Sequence, residues 1–157
     1  MAHRGPDLTS LLGGLGPGAF CLLDGPNGTD LALVVSREGR REVLVLNRRR
    51  KADGDLPLLS NLAVDAVVVL LAAFVAPSGA VDPAASVSPR RVPGALYLTA
   101  AGNYLCGRDE FGRLATFDAA SGLHGAINAE GLPQAVRWRV MVPQAGGVVT
   151  VYEAEPA

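Results

Sequence analysis

The chain has 157 residues, enough for one domain with a core of its own. Apolar residues make up 49% and charged residues only 18%, which excludes a disordered chain, and a net charge of -1 gives little protection against association. A soluble monomer this apolar has too few polar groups to cover its surface, so the composition predicts burial against copies or partners, or a membrane segment.

The 19 Gly, 11 Pro and 5% aromatic content point to many turns and an Ala/Val/Leu core, which suits a β-rich chain. In chain order, Asp7-Leu8-Thr9-Ser10-Leu11-Leu12 predicts one short helix stopped by Gly13-Gly14. Gly18 to Asp24 predicts a strand, Asp24-Gly25-Pro26-Asn27-Gly28 a turn, and Leu31 to Ser36 a second strand. Arg37-Glu38-Gly39-Arg40 predicts a tight turn into a third strand, Arg41 to Asn47, completing an antiparallel meander.

Asn61 to Val75 carries two signals. Its length and Ser60 as N-cap favour a helix, whereas Val67-Val68-Val69 favours a buried strand; a helix is expected. The surrounding stretch Leu56 to Ala76 is the most apolar in the chain, and Arg48 to Lys51 precede it as they would a membrane span. Asp65 interrupts it, and the remainder, Ala66 to Ala76, reaches only ~17 Å as a helix against a hydrocarbon core of ~30 Å, so a buried core element is expected rather than a span.

Pro77 to Val92 holds several Pro and Ser residues and predicts a surface linker or extended arm. Gly94 to Ala100, Asn103 to Gly107 and Arg113 to Asp118 predict three more strands, and Ala119 to Ala135 a long loop. Val136 to Pro143 and Val148 to Glu155 predict a closing hairpin around Gln144-Ala145-Gly146-Gly147, with Val136, Trp138 and Val140 on one face and Arg137 and Arg139 on the other.

The halves resemble one another. Pro17-Gly18-Ala19-Phe20-Cys21-Leu22 parallels Pro93-Gly94-Ala95-Leu96-Tyr97-Leu98. Ser36-Arg37-Glu38-Gly39-Arg40 parallels Gly107-Arg108-Asp109-Glu110-Phe111-Gly112-Arg113 with a two-residue insertion. Gly-centred hairpin turns recur for physical reasons alone, so two pseudo-repeated meanders and chance convergence both fit. Leu96-Tyr97-Leu98-Thr99-Ala100-Ala101-Gly102-Asn103-Tyr104-Leu105-Cys106, followed by Gly112-Arg113-Leu114, also resembles a single repeat of the fascin-like β-trefoil family. A trefoil needs three such repeats and the first half supplies none, so the expected fold does not rest on it. That fold is α+β or mainly β, an antiparallel sandwich or barrel of about eight strands with one or two helices, in a single domain spanning residues 1–157.

Candidate chemistry is sparse. Gly13-Gly14-Leu15-Gly16-Pro17-Gly18 has the wrong spacing for a phosphate loop and precedes a strand, so no helix dipole meets an anion. His124, with Asp118, Ser121, Asn128 and Glu130 nearby in sequence, is the candidate for acid–base or nucleophilic chemistry on the long loop. Cys106 beside Arg108 is a second candidate nucleophile, but Cys106 and Cys21 are expected to be buried thiols. Asp53-Gly54-Asp55 echoes a calcium loop without its closing Glu and is expected to be an exposed turn. Neither a metal nor a cofactor is expected.

The most pointed feature is Arg37, Arg40, Arg41, Arg48, Arg49, Arg50 and Lys51, which hold seven of the 14 Lys and Arg residues. Glu38, Glu42, Asp53 and Asp55 interleave with them, and Arg40 and Arg48 lie ~26 Å apart along a strand. The segment therefore predicts two small basic groups suited to a neighbouring subunit, with nucleic acid or another anionic partner as the alternative. The expected role is a non-enzymatic structural or interaction subunit of a homo- or hetero-oligomer, such as a virion or shell. A small enzyme using residues 118–130 is a further alternative. The first twenty residues carry no signal-peptide pattern, so the expected location is the cytoplasm or an assembled particle.

Overall fold

The computed structural model describes residues 12, 14–26, 28–48, 55–60, 64–79, 81 and 91–154. These form twelve strands in three antiparallel sheets. The first sheet has the order β4-β3-β2-β1-β5, from β1 (Phe20–Gly25), β2 (Gly28–Arg37), β3 (Arg40–Val45), β4 (Leu58–Leu59) and β5 (Ala66–Leu70). The second has the order β10-β7-β8-β9, from β7 (Leu96–Thr99), β8 (Gly102–Arg108), β9 (Leu114–Asp118) and β10 (Gln134–Ala135). The third has the order β12-β11-β6, from β6 (Phe74–Pro77), β11 (Trp138–Gln144) and β12 (Gly147–Ala154).

Mainly β antiparallel architecture, and each of the eight expected strands, match this arrangement within a few residues. The expected helices do not. No helix occurs among the described residues, and residues 7–11 of the first lie outside them. Residues 66–70 of the second are β5, and its last two, 74 and 75, open β6. The β-branched Val67-Val68-Val69 run decides that segment because the edge of β1 lies open to it: Cys21 pairs with Val69 and Leu23 with Val67. Leu71 and Ala72 turn the chain, with Ala72 at φ +56°, where a helix would continue. The four unexpected strands are these two and the two-residue β4 and β10, too short to leave a periodicity. No helix among the described residues is long and apolar enough to cross a membrane. Most of the expected arm at 77–92 lies outside the described residues.

All three sheets supply one core. Leu33 and Leu44, Leu96, Leu105 and Phe117, and Trp138 and Val140 meet there fully buried, each contributing roughly 1.5–3 kcal/mol by leaving water. Trp138 also donates from Nε1 to the Gly94 carbonyl at 2.9 Å, tying the third sheet to the second. The first sheet is covered on its other face too: Cys21, Leu23, Ala32, Val34, Val43 and Val45 pack with Leu12 and Val64. Burial on both faces explains why Leu31 to Val35 and Val43 to Leu46 are unbroken apolar runs rather than alternating ones.

The two meanders repeat one another in register. Leu33 lies between Phe20 and Leu44, and Leu105 lies between Leu96 and Phe117. Gly18 donates to the Val34 carbonyl as Gly94 does to that of Cys106, both at 2.8 Å. Ser36 faces Arg41 across four residues, Arg37 to Arg40; Arg108 faces Leu114 across five, Asp109 to Arg113. The second turn is thus longer by one residue, where two were expected.

Beyond the meanders the halves cross. Ser36, next to last in β2, forms a parallel bridge with Leu123, which follows β9. Arg108, ending β8, forms one with Pro57, which follows β3. At the opposite end β6 pairs with β11, and Val75 faces Val140. The chain at the first crossing has no room to spare. Gly122 lies at φ +70°, and a Cβ there would collide with the Val34 carbonyl oxygen and the Gly18 amide nitrogen. Gly122→Ala is therefore expected to lower the urea unfolding free energy by ~2–4 kcal/mol. Gly146→Ala, at φ +88° in an open hairpin loop, is expected to cost only ~1 kcal/mol. Equal losses would show that the crossing does not constrain Gly122.

Candidate functional site

The crossing brings together the two Arg-acid-Gly-Arg turns recognised in the sequence. The first, Arg37 to Arg40, is a two-residue hairpin whose Glu38 and Gly39 both have positive φ, 52° and 75°. The second, Asp109 to Arg113, is held by Asp109: its Oδ1 accepts from the Phe111 and Arg113 amides at 3.0 and 2.9 Å. Arg37 and Asp109 follow the two crossing residues, Ser36 and Arg108, and so occupy equivalent places in the two halves. They face each other, with Arg37 Nη1 3.4 Å from Asp109 Oδ2. Here the repeat carries opposite charges, which lets the two turns approach.

Around this pair lies a cleft of about 150 Å3 lined by Arg37, Arg40, Glu42, Ser60, Asp109 and Arg113 among others. Glu42 stands on the core face of β3 and is buried; its Oε1 accepts from Arg37 Nη2 at 3.2 Å and from Ser60 Oγ at 3.0 Å. Arg113 Nε donates to Asp109 Oδ2 at 3.0 Å, and its guanidinium lies 5.2 Å from the ring centre of the exposed Phe111. A smaller recess of about 70 Å3 adjoins it, lined by Asp55, Pro57, Leu58, Leu59, Arg108, Asp109 and Glu110. Asp55 was expected on an exposed turn with Asp53, but it is buried; Asp53 lies outside the described residues. Arg108 Nε is 3.1 Å from Asp55 Oδ2, close enough for an ion pair, but the two atoms are out of line and neither gains a hydrogen bond.

The remaining basic residues are divided as the strand length implies. Arg40 is exposed at the rim of the cleft. Arg41 donates from Nη1 to the Leu12 carbonyl at 3.1 Å. Arg48, beyond the far end of β3, donates from Nε to the buried Asp30 at 2.9 Å. Arg49, Arg50 and Lys51 lie outside the described residues. The structure thus gathers Arg37 and Arg40 with Arg108 and Arg113 from the other half, and sets Arg48 apart from them. Sequence reasoning missed Glu42, Asp55 and Asp109 as site residues. Asp109 lay within the turn likeness of the two halves, whereas nothing local marked Glu42 or Asp55.

The loop that offered acid–base chemistry as an alternative is occupied with its own backbone. Asp118 Oδ1 accepts from the Ala120 and Ser121 amides, Ser121 Oγ from the Leu123 amide, and Asn128 Oδ1 from the Glu130 amide. His124 is exposed, packs tilted against Phe117 at 5.6 Å, and gives its main-chain N–H to Ser36. These contacts build the crossing, and no described hydrogen bond joins His124 to Ser121 or a carboxylate. Among the described residues no three His, Cys, Asp or Glu side chains converge as a metal site.

Asp109 is held below its usual protonation range. Burial alone would raise it, but the Arg113 and Phe111 amides and the Arg113 guanidinium outweigh that cost. A lowered folded value stabilises the fold above the unfolded aspartyl value of about 3.9 and loses that contribution as pH falls through the folded value. Asp109→Asn is expected to lose stability at pH 7 and to unfold with a shallower acid limb below about pH 4. An acid limb identical to that of the unmodified protein would exclude Asp109 from acid unfolding.

Cys21 and Cys106 are both fully buried, and burial pushes each thiol up to about 11. Arg91 and Arg108 pull Cys106 down but do not prevail, so Cys106 is the buried thiol expected and the alternative of a nucleophile activated by its Arg neighbour is not formed. At pH 8 both thiols are expected to resist an aromatic disulfide reagent in the folded protein and to react fully in denaturant. Rapid labelling of one thiol in the folded state would overturn that assignment.

The third sheet ends in a second surface of note. Hairpin β11–β12 continues past its pairing with β6, which stops at Met141, and residues 147–151 are exposed without alternation. Val148, Val149 and Val151 are 49%, 42% and 43% exposed, and no charged residue occurs from Val140 to Tyr152. At its base a cleft of about 190 Å3 is lined by Leu22, Leu31, Leu70, Val151 and Tyr152, with Thr29 and Asn47 also in its wall. Compared with protein families, with curated proteins and with solved structures, the chain matches none.

Proposed function

We propose that the protein is a non-enzymatic structural or interaction subunit that assembles with copies of itself through the β11–β12 hairpin. The observation that carries this reading is the outer strand β12, an edge of its sheet with Val148, Val149 and Val151 exposed and no charge before Glu153. Edge strands of monomers are ordinarily blunted by charge, Pro or a covering segment, because their open N–H and C=O groups recruit another strand. The one interruption among the described residues of β12 is a bulge at Val151, which falls between Tyr152, opposite Val140, and Thr150, opposite Met141.

A second copy suits this edge better than a charged partner. Antiparallel pairing of two β12 strands about Thr150 sets Val149 opposite Val151, Val148 opposite Tyr152 and Gly147 opposite Glu153. No like charges face each other in that register, and a two-fold contact uses the same surface on both copies. The anionic-partner reading has weaker support, since Arg37 and Arg48 are already held by buried carboxylates and Arg41 by a main-chain carbonyl.

The test is the native mass of the purified protein across a concentration series. A dimer or larger species is expected. Replacing both Val149 and Val151 by Lys is expected to give a monomer with an unchanged circular dichroism spectrum, because neither side chain is in the core. A monomer at every concentration, or association unaffected by the paired substitution, would defeat the proposal.

A further inference from the structure

A different observation concerns the paired turns. Among the described residues six buried side-chain atoms have no hydrogen-bond partner, and four of them lie at the paired turns: Glu42 Oε2, both oxygens of Asp55, and one donor, Arg108 Nε; the other two are Gln134 Oε1 and Arg139 Nε. Each such group costs roughly 1–3 kcal/mol if it stays unserved. Glu42 and Asp55 line the two adjoining recesses, which share Leu58, Leu59, Asp109 and Glu110.

Charge is layered within the cleft. The side chains of Glu42, Asp55 and Asp109 are 3%, 2% and 6% exposed, whereas those of their partners Arg37, Arg108 and Arg113 are 22%, 31% and 69% exposed. The carboxylates lie deeper than the guanidinium groups, so water screens the positive charges more than the negative ones. The interior offers acceptors, within a volume suited to a few heavy atoms. A divalent metal is poorly served, since no three ligating side chains converge.

We propose that these two adjoining recesses bind a small ligand group rich in N–H donors, a guanidinium or amidinium, with Asp55 of the smaller recess and Glu42 of the larger as acceptors. A planar fork of N–H groups matches the two oxygens of one carboxylate with two parallel hydrogen bonds. The site is independent of the hairpin and of the assembly proposed above.

The experiment titrates the full chain with methylguanidinium chloride, with carboxyl carbons of Asp and Glu followed by NMR. Tetramethylammonium chloride, which has charge but no N–H donor, and NaCl serve as controls. Saturable shifts are expected at the Asp55 and Glu42 carboxyl signals with methylguanidinium alone, weakened about tenfold in Asp55→Asn. Glu42→Gln, which keeps the side-chain shape and the Oε1 acceptor, is expected to weaken binding less, and amide spectra establish that both variants fold. Unsaturated shifts up to about 100 mM, equal shifts with tetramethylammonium, or unchanged affinity in both folded variants would overturn the proposal. Those results would leave water as the donor to these oxygens.

Discussion

Ser36 and Arg108, at the ends of two central strands, each pair with chain that belongs to the other half, and the rest of the structure depends on that exchange. Ser36 accepts from His124 and donates to Gly122, while Arg108 donates to Leu56 at 2.8 Å. These main-chain bonds give partners to strand-end groups that neither meander could satisfy alone. Each meander is consequently completed by the other. Separate halves would expose the inner faces that now share Leu33, Leu44, Leu105 and Phe117.

The exchange also creates the polar cleft. Bringing two like turns together at a crossing places equivalent residues side by side, and equivalent residues of a repeat carry like charge unless they diverge. Here one position is Arg37 and the other Asp109. Three buried carboxylates then face three less buried guanidinium groups, an arrangement that costs desolvation energy and needs each group paired. The pairing around Asp109 and Glu42 Oε1 is complete; that around Asp55 and Glu42 Oε2 is not. The unfinished part distinguishes a structural ion network from a cleft with room for a ligand.

At the other end of the molecule the repeat is broken by addition. β6 and β11 meet with Val75 opposite Val140, and β12 then extends the sheet on one side only. An extra strand without a counterpart ends in an open edge. The same hairpin accounts for much of the apolar surplus in the composition, since its valines are exposed while the core is filled by Leu, Val and the single Trp.

The sequence by itself determined the local outcomes. Eight strands, the Glu38-Gly39 turn, the Gln144 to Gly147 turn and the likeness of Pro17-Gly18-Ala19 to Pro93-Gly94-Ala95 were all legible, because period-2 patterning and turn chemistry act between near neighbours. The separation of Arg40 from Arg48 was legible too, from the length of one strand. Only the tertiary structure decided that residues 66–77 are strands, because the open edges of β1 and β11 outweigh the length that favours a helix. It alone brought Arg37 to Asp109 and buried Asp55 beside Arg108, since those contacts join residues far apart in the chain that no local pattern relates. It also placed His124 at the crossing, while the burial of Cys106 was already expected from the chain.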